Sequence, residues 1–325
     1  MNRIHLPASW HLPDGAATPE PIYVDRRRFL RGSLAATGAS LIALGTTPAW
    51  AREGKPDGKY TRPFTKSGKY RDAGRPISKE IHATRFNNFY EFTTNKTEVW
   101  KLVDNFQIKP WQIEIGGLAK KSGKYDLDDL LKKLPQEERV YRFRCVETWA
   151  MTVPWIGVPF RKLVEWAEPS SKAKYVRFET AWRPDEMPDM SGWGKNFPYF
   201  EALRIDEATN DLTMLTTGMY GKVLPKQNGA PCRIITPWKY GYKSPKSIVR
   251  IEFVEKRPDT FWNLLQPRKY GFYSNVNPNV PHPRWSQAKE WRIPSEDKRY
   301  DTQMFNGYGE QVAAMYKGMD LVKNH

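Results

Sequence analysis

Arg26 and Arg27 sit in the run Asp25-Arg26-Arg27-Arg28-Phe29-Leu30-Arg31, and the weakly apolar stretch after it ends in Ala49-Trp50-Ala51. A basic head, a short apolar middle and an A-x-A end together make a twin-arginine export signal over residues 1–51. This constrains everything downstream, because that route carries chains that have already folded, commonly with a cofactor inserted beforehand. The apolar middle, residues 34–44, spans 11 positions, well short of the ~20 a bilayer-spanning helix needs. Its Gly, Ser and Thr content weakens it further as an anchor. The expectation is a periplasmic protein that folds before export. Asp25 stands where such signals usually have Ser or Thr, a minor departure.

Residues 52–325 are expected to form a single catalytic domain. The whole chain has a net charge of +16, and the leader removes five basic and three acidic side chains, leaving +14. In an exported protein that surplus points to anionic lipid headgroups, an acidic partner or an anionic cofactor, not to nucleic acid.

Cysteine and histidine narrow the chemistry. Beyond the leader the chain has Cys145 and Cys232, with His82, His282 and His325. An all-protein zinc, copper or iron–sulfur cage needs three or four such ligands, and none of the usual close spacings occurs. A haem or cluster of the chain's own is therefore not expected.

The periodicity predicts short strands mixed with helices. Residues 111–115 alternate and then meet Gly116-Gly117, as a strand entering a turn does. Residues 126–134 place acids early and lysines late before Pro135, which suits a helix dipole. From Arg139 to Cys145, Val140, Arg142 and Arg144 share one face, with Tyr141, Phe143 and Cys145 on the other. Pro159 opens a second helix running to Ala167; residues 175–180, 233–236 and 247–254 read as strands. Residues 267–311 show no clear period and read as a loop-heavy packed tail. Helices and strands do not alternate regularly, so the expected class is α+β with a mixed or antiparallel β core.

Cys145 ends its strand, where a thiol is placed to enter a cleft; Arg142 and Arg144 nearby would favour a thiolate. By periodicity alone a small buried hydrophobe is the more ordinary role for it. The second chemical stretch starts at Gln227-Asn228-Gly229-Ala230-Pro231, a turn of small residues. Arg233, Lys239, Lys243 and Lys246 then bring four cations into 14 residues. Such a segment can hold a phosphate through ammonium groups and backbone N–H donors; as residue types alone it is also an ordinary basic surface turn. It is neither a Walker loop nor a dinucleotide fingerprint.

The stretch 143–147 (Phe-Arg-Cys-Val-Glu), Val153-Pro154-Trp155-Ile156-Gly157 and the run 228–249 resemble the protein-methionine-sulfoxide reductase catalytic subunits of the MsrP family. These are molybdopterin enzymes of the sulfite oxidase fold, and the resemblance covers essentially the whole chain. It implies one molybdenum held by a pterin dithiolene, with Cys145 as catalytic residue and the protein's metal ligand. Soft thiolate donors suit that metal. The family's pterin contacts fall here on Asn87, Tyr90 and Glu91, then Thr180, then Asn228 and Arg233, and finally Ser244, Pro245 and Lys246. Arg233 and Lys246 are the natural phosphate partners; Asn87, Asn228 and Thr180 can read the pterin edge. Cys232 has no role in this pattern and is expected to be a buried small hydrophobe.

The implied reaction is transfer of a sulfoxide oxygen from methionine, free or within oxidised envelope proteins, to the molybdenum centre. That is the reversible rung of methionine oxidation. Electrons are implied to come from a haem-containing inner-membrane partner, MsrQ. A substrate mouth is expected near Trp149, Trp155 and Trp182. Two alternatives remain in view, sulfite oxidation on the same fold and a non-catalytic basic binding protein. Sulfite oxidases typically continue from their cysteine as Cys-Ala-Gly-Asn-Arg, whereas here Glu147 and Trp149 come after it. A neutral sulfoxide fits that better than a dianion.

Overall fold

Two β-sheets carry the molecule, and each is built around one strand with a distinctive burial pattern. In the computed structural model, residues 58–190 and 197–324 are described; the export signal at residues 1–51 lies outside them.

The first sheet has eight strands centred on Trp149–Pro159, whose 11 residues are all buried. Burial on both faces removes the polar–apolar alternation that marks a strand in sequence, and Pro154 further disguises it. This strand pairs antiparallel with Glu137–Arg144 on one side and Met214–Met219 on the other. Arg233–Ile235 extends the sheet beyond Met214–Met219. The start of the central strand also pairs, in parallel, with Lys289–Arg292.

The second sheet has five strands, in the order Gly123–Asp126, Gln112–Gly117, Ile248–Val254, Tyr175–Thr180 and Phe200–Arg204. Only the Ile248–Val254 and Gln112–Gly117 pair is parallel. The α+β class with a mixed core is therefore what the chain adopts. Helices are short. Leu127–Lys132 is capped by Asp126, whose side chain accepts from the Asp129 N–H, and Phe160–Ala167 starts directly after Pro159 and ends at Glu168 in the left-handed region.

The tail differs from its expectation. Residues 267–311 contain the antiparallel hairpin Lys289–Arg292 and Ser295–Asp301, and its first strand joins the central sheet. The second strand is largely exposed, so it carries no apolar alternation for a sequence reading to find.

Candidate active site: one thiol at the end of a cavity

Cys145 begins a tight turn between Glu137–Arg144 and Trp149–Pro159. The turn closes with Cys145 N–H donating to the Trp149 carbonyl at 2.9 Å and Thr148 N–H to the Cys145 carbonyl at 3.1 Å. Thr148 has φ 73°, an uncommon conformation for a β-branched residue, and one that tends to mark functional turns. The chain thus passes from the cysteine through a tight turn directly into a strand.

The thiol faces a cavity enclosing about 1020 Å³ of empty space, its open mouth included. Nine of the ten residues singled out from the sequence line it: Asn87, Tyr90, Glu91, Cys145, Asn228, Arg233, Ser244, Pro245 and Lys246. Thr180 does not; its hydroxyl donates to the Tyr199 carbonyl at 3.1 Å. Of the expected mouth tryptophans only Trp149 lines the cavity. Trp155 is fully buried and Trp182 is exposed away from the lining. The aromatic wall comes instead from residues such as Tyr90, Trp262 and Tyr270, with ring centroids 6.0 Å (Tyr90–Trp262) and 5.1 Å (Trp262–Tyr270) apart.

Short-range hydrogen bonds hold the sulfur. Asn88 Nδ2 donates to Cys145 Sγ at 3.1 Å and to Glu147 Oε2 at 2.9 Å. The Glu147 backbone N–H reaches the same sulfur at 3.4 Å. Glu147 is also ion-paired with Lys96 at 3.2 Å and accepts from Tyr90 Oη at 3.3 Å. Burial first, and then the Glu147 carboxylate, push the thiol up to about 12. Without a cation or metal at the sulfur the cysteine is held as a neutral thiol. Asn88 escaped the sequence reading; its only signal was that it adjoins Asn87 in a polar pair.

The polar end of the cavity is stitched together by Arg233. Its Nη1 donates to the Asn228 carbonyl at 2.8 Å and its Nη2 to the Ser244 carbonyl at 3.1 Å. One guanidinium therefore joins the turn at Lys226–Asn228 to the basic loop. Gly229, at φ +99°, lets that turn approach: a Cβ there would lie 2.7 Å from Lys246 Cβ. Burial pulls Arg233 down to about 9, and burial together with the Arg233 charge pulls Lys246 down to about 7. Burial raises the Glu91 carboxyl, against the pull of Lys246.

The four-cation phosphate segment resolves into two kinds of cation. Arg233 and Lys246 face the cavity, whereas Lys239 and Lys243 are buried against Glu207 at 2.6 Å and Glu201 at 2.5 Å. Those glutamates lie over 30 residues away in sequence, so nothing local distinguished the two pairs. Cys232 is fully buried in the core beside Ile248, and both cysteines are free thiols.

The model of the oxidoreductase molybdopterin binding domain matches residues 100–262. A Burkholderia mallei protein named protein-methionine-sulfoxide reductase catalytic subunit MsrP is 46% identical, covering 96% of this chain and 95% of its own. One of the same name from Xanthomonas axonopodis pv. citri is 48% identical over 96% of this chain and 97% of its own. A third, from Ralstonia nicotianae, is 46% identical with 96% of each covered. The chain belongs to the MsrP family. Membership implies the molybdenum–molybdopterin cofactor, and the cavity can be tested against it. Asn87 Oδ1, Asn228 Oδ1 and Arg233 Nε are all buried without a hydrogen-bond partner, an arrangement that costs stability unless a polar ligand completes it. Two cations, Arg233 and Lys246, line the same cavity as the soft Cys145 thiol. The residues fit an anionic, heteroatom-rich group with a thiophilic metal.

Proposed function

We propose that this protein is a periplasmic molybdenum enzyme that reduces methionine sulfoxide in oxidised envelope proteins, receiving electrons from a haem-containing membrane partner, MsrQ. The observation that carries the reading is the convergence of Asn87, Asn228 and Arg233, each with a buried unpartnered atom, on a cavity closed by the lone Cys145 thiol. When bound, the cofactor supplies oxygen-atom transfer and two-electron chemistry.

Cys145 would hold the metal, with Asn88 and the Glu147 N–H orienting its sulfur. Arg233 and Lys246 would neutralise the phosphate, while Asn87 and Asn228 meet the pterin edge. Tyr90 holds an exchangeable proton beside the thiol, donated to Glu147 at 3.3 Å. The aromatic wall suits a thioether, since sulfur packs well against rings. Membrane proximity, which the charge of +14 favours, would bring the donor close.

Sulfite oxidation is the second reading, and the geometry near the thiol weighs against it. Arg142 turns to the Ala73 and Asn306 carbonyls and Arg144 to Glu290, so neither is free to meet a dianion at the sulfur. Glu147 Oε2 stands 3.7 Å from Sγ and already holds Lys96 at 3.2 Å, so an anion at the sulfur would meet a carboxylate before a free cation. With reduced dye as electron source, the loaded protein should reduce free and protein-bound methionine sulfoxide and show little sulfite-dependent reduction of acceptors. Faster sulfite turnover under matched conditions would overturn the reading.

A further inference from the structure

Glu147 lines the cavity beside the cysteine, and its carboxylate is held from several directions. Asn88 Nδ2, Tyr90 Oη and Trp149 Nε1 donate to it at 2.9, 3.3 and 3.4 Å. All three donors are neutral. The charged contact is Lys96, whose Nζ lies 3.2 Å from Oε2, the same oxygen that stands 3.7 Å from Cys145 Sγ. One carboxylate oxygen thus links the ammonium to the sulfur.

The backbone brings Lys96 there. Its carbonyl accepts the Asn87 N–H at 2.9 Å, and Asn95 Oδ1 accepts the Thr97 N–H at 3.1 Å, which shapes the turn around it. The segment that supplies Asn87 and Asn88 to the cavity therefore also fixes where the ammonium starts. The two side chains are 27% (Lys96) and 23% (Glu147) exposed, so water screens their fields only in part. The charge reaches the thiol: burial and Glu147 push it up, while the Glu147 N–H, Arg144 and Lys96 pull it down. Arg144 is already engaged by Glu290 at 3.3 Å behind the turn, and Lys246 is set to meet a phosphate. Lys96 is left to balance the carboxylate at the sulfur.

We propose that Lys96 tunes the metal: by neutralising Glu147 it raises the reduction potential of the molybdenum that Cys145 would hold. The inference rests on the proposed function, in which Cys145 is the metal ligand and electrons arrive from outside. A carboxylate beside the ligand sulfur favours the more oxidised, more positive metal, and a paired ammonium cancels that preference. Because three neutral donors also hold Glu147, removing the ammonium takes away charge and leaves the carboxylate in place. Sulfoxide reduction needs two electrons from the donor, and a centre that is easier to reduce accepts them from a weaker one. Lys96 is therefore a positioning residue that acts through Glu147, without touching substrate.

The test compares Lys96→Met, Lys96→Glu and Lys96→Arg in holoenzyme of verified molybdenum content. A redox titration followed by the molybdenum EPR signal reads the one-electron midpoint potential of each. Lys96→Met should lower it by about tenfold in the reduction equilibrium, which is about 59 mV for one electron. Lys96→Glu should lower it further. Lys96→Arg should return it to the wild-type value, because a guanidinium keeps the charge. Turnover gives a second readout: in Lys96→Met the rate should drop more with a weakly reducing dye than with a strongly reducing one. An unchanged midpoint in Lys96→Met would overturn the assignment. So would an equal fall in Lys96→Arg, which would mean that the lysine shapes its turn and sets no charge. Wild-type sulfoxide turnover reports separately on the function: without it the sulfoxide reading fails, while the midpoints still decide the role of Lys96.

Discussion

The two sides of the cysteine turn are built on opposite principles. Toward the cavity, buried polar atoms of Asn87, Asn228 and Arg233 stand without partners. Behind the turn, the groups that brace it are paired with the turn or with one another, although His282 Nε2 there has no hydrogen-bond partner. Arg144 donates to the Cys145 carbonyl and to Gln287 Oε1 at 2.8 Å, and Gln287 Nε2 donates to the Val146 carbonyl at 2.6 Å. Glu290, fully buried, pairs with Arg144 at 3.3 Å and Arg75 at 2.6 Å. The front is incomplete because a ligand completes it; the back is tight because the turn must hold one sulfur in place. Rigidity behind is what lets the front stay unsatisfied.

The sharpest way to break this comparison is at the sulfur. Cys145→Ser should reduce sulfoxide turnover to background while leaving the melting temperature of the cofactor-free protein nearly unchanged. A hydroxyl is a harder, poorer ligand for a thiophilic metal, yet the change is one atom in a site whose backbone bonds remain. Activity and thermal unfolding of the same preparations check it. Full activity would remove Cys145 from the centre.

Next come the front cations. Arg233→Glu and Lys246→Glu should each strip most of the molybdenum and pterin from purified protein, because a carboxylate replaces a cation where a phosphate is expected. Lys246→Glu is the cleaner variant, since Arg233 also braces the Asn228 turn and the Ser244 loop. Normal metal content in both would mean that these two cations meet no phosphate, and would leave the front without a ligand.

The back should respond differently. Glu290→Ala leaves Arg144 and Arg75 buried without their anion, a change that typically costs about 3–5 kcal/mol. That loss should show in urea unfolding of cofactor-free and loaded protein alike, whereas front substitutions should matter mainly in the loaded form, where ligand binding stabilises the fold. Equal effects from both sides would erase the distinction.

The same contrast explains what could be read in the sequence. The front is local: Asn228, Arg233, Ser244 and Lys246 fall within one run, and chemistry-bearing residues gathered there announce a site. The back is assembled from Glu290, Gln287 and Trp285, more than 130 residues beyond the turn they hold. Those residues sit in or beside a hairpin whose outer strand is exposed and carries no period. The central strand Trp149–Pro159 was hidden by the opposite extreme, complete burial. Alternation did place Arg142 and Arg144 on the face away from the thiol, because the strand from 137 to 144 has one face toward the cavity and one toward the tail.

The smallest expected effect is a pH dependence of the front alone. In the cofactor-free protein, burial and the Arg233 charge hold Lys246 down to about 7, so above that pH it is mostly neutral. A bound phosphate favours the ammonium and raises the pKa again, so at this residue the loaded state carries more protons than the empty one above pH 7. Cys145, a thiol when the site is empty, loses its proton to the metal and acts in the opposite sense, equally in Lys246→Arg. Relative to Lys246→Arg, affinity for the cofactor should therefore weaken in the wild type as pH rises from about 7 toward the bound-state pKa, and the two should run together below 7, where Lys246 is protonated in both states. The phosphate itself is dianionic above ~6 and adds no opposing slope in that window. Molybdenum retained after dialysis between pH 7 and 9.5 measures it in both proteins, and Lys246→Arg should gain on the wild type as pH rises, because a guanidinium keeps its charge across that range. The Arg144–Glu290 pair behind the turn should show no matching change in cofactor-free stability over the same interval. Retention curves that run parallel in the two proteins would mean that Lys246 meets no phosphate, and that the front is completed by some other group.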